Sequence, residues 1–203
     1  LSVIVVPMKP ELPCMLDIEA SGFGRNSYPI EIGYVCSDGS AWCTLVRPPD
    51  DWTHWDASAE QVHHIARNTL LAHGRPPLEV ARQLNAALAG RTVYCDGWAH
   101  DYTWLGVLFE AAGLQPQFKL ASVRQLLDEA QLSRLDALRR GSFSVLGIAR
   151  HRASSDARAL QWAVGKLLGA VAQTAADAQP DNTAGPPAAA APLAPAGHTD
   201  QRR

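Results

Sequence analysis

The run Met15-Leu16-Asp17-Ile18-Glu19-Ala20-Ser21-Gly22 sets two acids inside an otherwise apolar, strand-like segment. Side chains two apart on a strand share a face, so Asp17 and Glu19 point together while Leu16 and Ile18 point into the core behind them. This is a paired-carboxylate site, although an edge strand with one solvated face would give the same local pattern. Two further acids head apolar stripes. Asp101 precedes Trp104, Leu105 and Leu108, and Asp156 precedes Leu160, Ala163, Val164 and Leu167. Each acid therefore begins the face that helical periodicity turns inward. Capping of a helix N-terminus accounts for either one alone. It does not account for three separate elements that each carry acid toward the interior. Ionised carboxylates removed from water require compensation, and four together repel one another into raised pKa values. Too few bases lie in these stripes to neutralise them. The chemistry implied is a pair of divalent ions held by Asp17, Glu19, Asp101 and Asp156, about 3.5 to 4 Å apart as in phosphoryl-transfer sites.

His151 stands five residues before Asp156, just outside the helix that delivers it. An imidazole with an ordinary pKa of about 6.5 suits a general base at that place. A plain surface histidine is the alternative if the acids do not meet.

The elements needed to position these residues are readable along the chain. Strands are expected over 14–20, 30–36 and 40–46, the last two joined by a tight turn at Ser37-Asp38-Gly39. A loop follows over 48–56. Leu78, Ala81, Leu84, Ala87 and Leu88, preceded by Pro76-Pro77, mark a helix. Strand 91–96, helix 101–112, strand 118–123, helix 124–131 and a final helix 155–168, capped by Ser154 or Ser155, complete the set. Three meandering strands followed by alternating strands and helices describe an α/β domain, a mixed five-stranded sheet flanked by helices.

The chain has 203 residues, 47% hydrophobic and 19% charged, with a formal net charge of -2. That excludes wholesale disorder and a strongly basic nucleic-acid coat. The expected organisation is an N-terminal extension over 1–12, one folded domain over 13–173, and a disordered tail over 174–203. The tail is rich in Ala and Pro and nearly devoid of large apolar residues. Residue 1 is Leu, and Met8 or Met15 could each be an initiator. No apolar run is long enough for a membrane span, so a cytoplasmic protein without membrane partners is expected. Cys14, Cys36, Cys43 and Cys95 form no CxxC pair, which points to free thiols rather than zinc or disulfides.

In this order the motifs resemble the DEDDh-type 3′ to 5′ exonucleases, the RNase H-like family that includes the proofreading subunit of bacterial replicative polymerase, RNase T and oligoribonuclease. Asp17-Ile18-Glu19-Ala20-Ser21-Gly22-Phe23 looks like the first motif, Asp101 falls where the second carries its acid, and His151 with Asp156 matches the third. Val62-His63-His64-Ile65 is similar to a short segment between the first two motifs. The resemblance covers about residues 15–168. Two positions depart from it, because Gly97 and His100 stand where the family often has Asn and an aromatic. Asp96, at the end of the same strand, could compete with Asp101 as ligand.

The resemblance implies an RNase H-like fold and Asp17, Glu19, Asp101 and Asp156 as ligands of Mg2+ or Mn2+, with His151 as general base. It further implies contacts to the terminal nucleotide from Ala20, Ser21, Gly22, Phe23 and His63. The partner would be single-stranded DNA or RNA, and a homodimer is compatible with it. Between Lys119 and Arg158 there are eight Lys or Arg against four Asp or Glu, and Arg139, Arg140, Arg150 and Arg152 flank the third motif. They could steer a phosphate backbone or simply form a solvated face. Trp52, Trp55 and Trp98 could stack on bases, with core packing as the plainer role. The expected activity is release of nucleoside 5′-monophosphates from single-stranded ends. The alternatives are a non-catalytic nucleic-acid-binding or polymerase-accessory module, and a phosphodiesterase acting on dinucleotides or nucleotide cofactors.

Overall fold

The computed structural model describes residues 11–169, all within one unit of the chain, Leu1–Ala172. The tail expected over 174–203, and all but two residues of the extension expected over 1–12, lie outside the described residues. The strands are β1 (Cys14–Ala20), β2 (Pro29–Val35), β3 (Ala41–Leu45), β4 (Thr92–Cys95) and β5 (Lys119–Ser122). They form one sheet in the order β3-β2-β1-β4-β5. β1, β2 and β3 pair antiparallel, whereas β4 and β5 extend the sheet in parallel from β1. Among the described residues six α-helices flank it: α1 (Ala57–His63), α2 (Arg67–His73), α3 (Pro77–Leu88), α4 (Trp98–Ala111), α5 (Glu129–Leu146) and α6 (Ala153–Leu167). This is the RNase H-like α/β architecture expected from the sequence.

Alternation along β1 divides the core between the two sheet faces. Leu16 and Ile18 pack with Leu84 and Leu88 of α3 and Leu105 and Leu108 of α4. Met15 packs with Leu135 of α5 and Ala157, Leu160 and Val164 of α6. Asp17 and Glu19 share the face of Met15 by the two-residue period, so β1 itself presents them toward α6.

The close seat of α6 on the sheet depends on Gly33, which lies opposite Asp17 in the β1–β2 register. A Cβ there would collide with the Ser154 nitrogen and lie 2.6 Å from the Ala153 carbonyl carbon. Only glycine lets the first turn of α6 approach β2 this closely.

Several elements differ from the sequence expectation. Segment 57–73, left without assignment, forms α1 and α2. Asp56 caps α1 by accepting the Ser58 N–H at 2.8 Å. The helix expected over 124–131 is a single 3-10 turn, Val123–Gln125, and α5 then begins at a capping box made by Asp128 and Gln131. α4 starts three residues earlier than expected, so Asp101 lies in its first turn. Neither Ser154 nor Ser155 caps α6; both lie inside the helix and its N-cap is Arg152. Two acids satisfy the free donors of that end instead: Asp156 Oδ2 accepts the Arg152 N–H at 3.1 Å, and Glu31 accepts the Ala153 N–H at 2.8 Å. All four cysteine thiols are free. Among the described residues no helix is long and apolar enough to cross a membrane.

Candidate active site

β1, the turn after β4, α1, α4, α5 and α6 converge on a cavity of about 580 Å³, whose lining includes Asp17, Glu19, Asp101, His151 and Asp156. The first, second and third motifs therefore meet in one place. One oxygen each from Asp17, Glu19 and Asp156 lies within 4.8 Å of the others, a spacing suited to shared ligation of a divalent ion. Asp101 stands outside that trio but borders the same cavity. It is buried, and its Oδ2 has no hydrogen-bond partner among the described residues. Gly97 lies beside it, where a Cβ would fall 3.3 Å from that oxygen.

The electrostatics follow from this crowding. Burial pushes the Asp17 carboxyl well above its ordinary value, and the negative charges of Asp101, Glu19 and Asp156 push it further. Burial raises Glu19 to about 7, with Asp156 and Glu31 adding to the rise while Arg152 and Arg139 oppose it. Asp101 is raised to about 7, again by burial first, with the Cys95 thiol opposing and Asp96 and Glu19 adding. Asp156 is raised by burial, partly offset by the Arg152 N–H and the charge of Arg139. An acidic cluster that resists ionisation and contains a buried carboxylate oxygen without a donor matches the donor set of hard divalent cations.

His151 is half-buried at the cavity wall, with its backbone in the left-handed region at φ 59°. That turn places it one step before the N-cap of α6. Asp96, the rival to Asp101, also borders the cavity, but it is ion-paired with Arg139 and accepts the Gly97 N–H at 2.9 Å. It is thus already ion-paired, whereas the Oδ2 of Asp101 has no hydrogen-bond partner among the described residues.

Of the expected nucleotide contacts, Ala20, Gly22, Phe23 and His63 line the cavity, but Ser21 does not. Ser21 is fully buried, accepts the Tyr28 N–H at 3.1 Å and pairs with His54 Nδ1 at 3.1 Å. Its hydroxyl is committed to the turn that follows β1. Phe23 is 67% exposed, a large value for an aromatic side chain, and it contacts two other rings. His100 lies edge-on to it at 5.1 Å, and Trp104 is 5.9 Å away. His63 is buried and accepts the Ile65 N–H on Nδ1 at 3.0 Å, which places its proton on Nε2. That nitrogen has no partner among the described residues.

Sequence reasoning missed Glu31. It sits opposite Glu19 in the register and is 1% exposed. Its carboxylate grips Arg152 and the start of α6. The available signal was an acid in the middle of the apolar run Pro29-Ile30-Glu31-Ile32-Gly33-Tyr34-Val35, every residue of which is buried. Trp52 and Trp55 are taken by protein contacts, Trp52 stacking on Tyr28 at 5.0 Å and Trp55 donating to Glu60 at 2.7 Å. Trp98 is 41% exposed at the start of α4.

Comparison with solved structures agrees with this arrangement of strands and helices. The chain shares the fold of part of exonuclease I. The E. coli exonuclease I complex with a dA16 oligonucleotide aligns with a TM-score of 0.59 and 14% identity, covering 76% of this chain and 40% of that one. A zinc-bound E. coli exonuclease I complex with single-stranded DNA gives 0.57 and 15%, with the same coverage. The moderately thermophilic exonuclease I of Methylocaldum szegediense gives 0.54 and 16%, over 76% of this chain and 39% of that one. This chain thus spans about two fifths of the length of the exonuclease I chains. No protein-family model and no curated protein sequence matches it.

Proposed function

We propose that the chain is a metal-dependent 3′ to 5′ exonuclease that hydrolyses the terminal phosphodiester of single-stranded nucleic acid and releases a nucleoside 5′-monophosphate. The observation that carries this reading is the meeting of Asp17, Glu19 and Asp156 within 4.8 Å, with Asp101, whose Oδ2 has no partner among the described residues, on the same cavity wall. These four acids would hold two divalent ions, Mg2+ or Mn2+, which when bound neutralise the cluster, activate water and stabilise charge on the phosphate.

The chain's own residues supply the rest. His151 accepts the proton of the attacking water as its oxygen bonds to phosphorus, and the bond from phosphorus to the 3′ oxygen of the penultimate nucleotide breaks. The Ala20 backbone borders the terminal sugar. Phe23, exposed and backed by His100 and Trp104, stacks on the last base without reading its identity. Gly22, with φ 142° and packed against Asp56 and His54, fixes the turn that sets Phe23 at the mouth. The unpartnered Nε2–H of His63 is a donor for a hydroxyl or carbonyl oxygen of the terminal nucleotide. Ser21 takes no part, since its hydroxyl is occupied. All four acids and His151 come from one chain, so the activity requires no second copy.

The test is degradation of a labelled single-stranded oligonucleotide with Mg2+ or Mn2+, beside a control blocked at its 3′ end. The reading expects mononucleotide release from the free 3′ end only, and its loss in Asp17→Asn and Asp156→Asn. Undiminished cleavage by either variant would remove the proposed ligands. Saturable Mn2+ uptake in calorimetry separates the enzyme from a binding module, and substrates of graded length separate it from a dinucleotide phosphodiesterase.

A further inference from the structure

Three of the four arginines around the third motif do not line the cavity. Arg152 is bound to Glu31, Arg150 lies over the Phe143 ring at 5.4 Å, and Arg140 is exposed on α5 outside the cavity lining. Arg139 differs, because it lines the cavity, as does the exposed Arg124 outside this group, and its side chain is only 26% exposed. Its charge is felt by both Glu19 and Asp156. The main chain that carries it is fixed, since Ser142 Oγ donates to the Arg139 carbonyl at 2.7 Å and lies 3.4 Å from the Ala159 carbonyl of α6.

The partner of Arg139 is Asp96, met through Nη1. A guanidinium is a planar fork with five N–H donors, so one contact leaves most of its donating capacity unused. The cavity around it is bordered by Asp17, Glu19, Asp96, Asp101, Asp136 and Asp156. A polyanionic strand entering such a place needs a fixed positive group of the protein as well as bound cations.

We propose that Arg139 is a phosphate-binding residue of this site: held beside Asp96 through Nη1, it gives its remaining donors to a non-bridging oxygen of a strand phosphodiester. The inference rests on the nuclease reading and extends it by naming the protein group that takes the phosphate. Asp96 orients the guanidinium and at the same time opposes the strand with its own charge. The two members of the ion pair therefore act on strand affinity in opposite directions. A simple staple between β4 and α5 would make their removal equivalent.

The experiment is fluorescence anisotropy of a labelled single-stranded oligonucleotide over a range of salt, with Ca2+ replacing the catalytic ion, on wild type, Arg139→Gln, Arg139→Lys and Asp96→Asn. Arg139→Gln should weaken binding roughly tenfold and lower the salt slope by about 0.7, the increment for one phosphate contact on a single strand. Asp96→Asn should bind at least as tightly as wild type. Equal weakening by Arg139→Gln and Asp96→Asn, or an unchanged slope in Arg139→Gln, overturns the proposal. If Arg139→Gln does not fold, Arg139→Lys decides: it keeps the charge and loses the fork, so affinity should fall several-fold with the slope retained, and unchanged affinity is a refutation. A wild type that hydrolyses and binds normally beside an indifferent Arg139→Gln sinks this inference alone. A wild type that neither binds nor hydrolyses sinks the nuclease reading and this inference with it.

Discussion

Glu31 on β2 joins Arg152 at the head of α6, with Oε1 accepting from Nη2 at 2.5 Å and from Nε at 3.0 Å. The other oxygen of the same carboxylate takes the Ala153 N–H at 2.8 Å. Glu31 is buried and stands opposite Glu19, so the strand pair that presents Asp17 and Glu19 also fixes the helix that presents Asp156 and the turn that presents His151. Replacing Glu31 by Gln keeps shape and loses charge. It should cost about 1–3 kcal/mol in urea unfolding, at the lower end because half of the Arg152 side chain is solvated. Turnover should fall further than the stability loss alone explains, and Mn2+ affinity should fall with it as Asp156 shifts. Full activity in a folded Glu31→Gln protein would show that the latch does not position the site.

The acid cluster sets a pH dependence that reverses with metal. In the folded chain Glu19 and Asp101 are raised to about 7 from ordinary values of 4.5 and 3.8, so between those limits the folded state holds more protons than the unfolded one. Stability rises with pH only where the unfolded state binds more protons, so here it declines. As far as these two groups govern, the metal-free protein should therefore be most stable at and below about pH 4, and should lose that contribution as pH rises toward 7. Divalent ions displace the protons, so the stabilisation they add should grow over the same interval. Urea titrations in EDTA and in Mn2+ across pH 4 to 8 measure both slopes. A metal increment that shrinks with rising pH contradicts the assignment.

His151→Ala should lower kcat by roughly 10²- to 10⁴-fold, the usual range for loss of a general base. KM and the Mn2+ isotherm should stay near wild type, since His151 is given no part in holding ion or strand. An unchanged kcat would remove the base assignment while leaving the four acids in place.

Phe23→Ala tests the stacking wall. Loss of one base-stacking contact corresponds to about 1–3 kcal/mol, or roughly 5- to 150-fold, expected in KM or oligonucleotide Kd. The melting temperature should barely move, because Phe23 is 67% exposed and contributes little burial. A large stability loss without an affinity change would make Phe23 a packing residue.

The acids were legible because each breaks a hydrophobic period. Asp17 and Glu19 interrupt β1, and Asp101 and Asp156 begin buried stripes on α4 and α6, so the conflict between charge and pattern is visible before any contact is known. The five strands and the mixed sheet followed from the same periods. α5 was hidden because Arg139-Arg140-Gly141 interrupts its middle and only Leu135, Ser142 and Phe143 along its length are buried, too sparse a stripe for a window of residues to register. α1 and α2 have seven residues each, and each buries one of them. Such short helices depend on tertiary packing more than on local preference. The commitment of the Ser21 hydroxyl was hidden for a different reason: proximity to Asp17 and Phe23 says nothing about which way a side chain leaves a turn, and its bonds to Tyr28 and His54 depend on the folded chain. The value of Arg139 over its three neighbours was equally invisible, since sequence gives the count of cations but not their partners.

His151 and Asp156 are mounted at one end of a single helix whose first turn rests against Gly33. They cannot be adjusted independently, and any tilt of that rod retunes both at once. The mouth is built otherwise: Phe23 belongs to the irregular connection after β1, where Phe23, Gly24, Arg25 and Asn26 are exposed. Within that connection substitution should be tolerated at exposed Arg25 rather than at Gly22, Gly24 or Asn26, whose positive φ disfavours most side chains, while α6 stays intolerant of change.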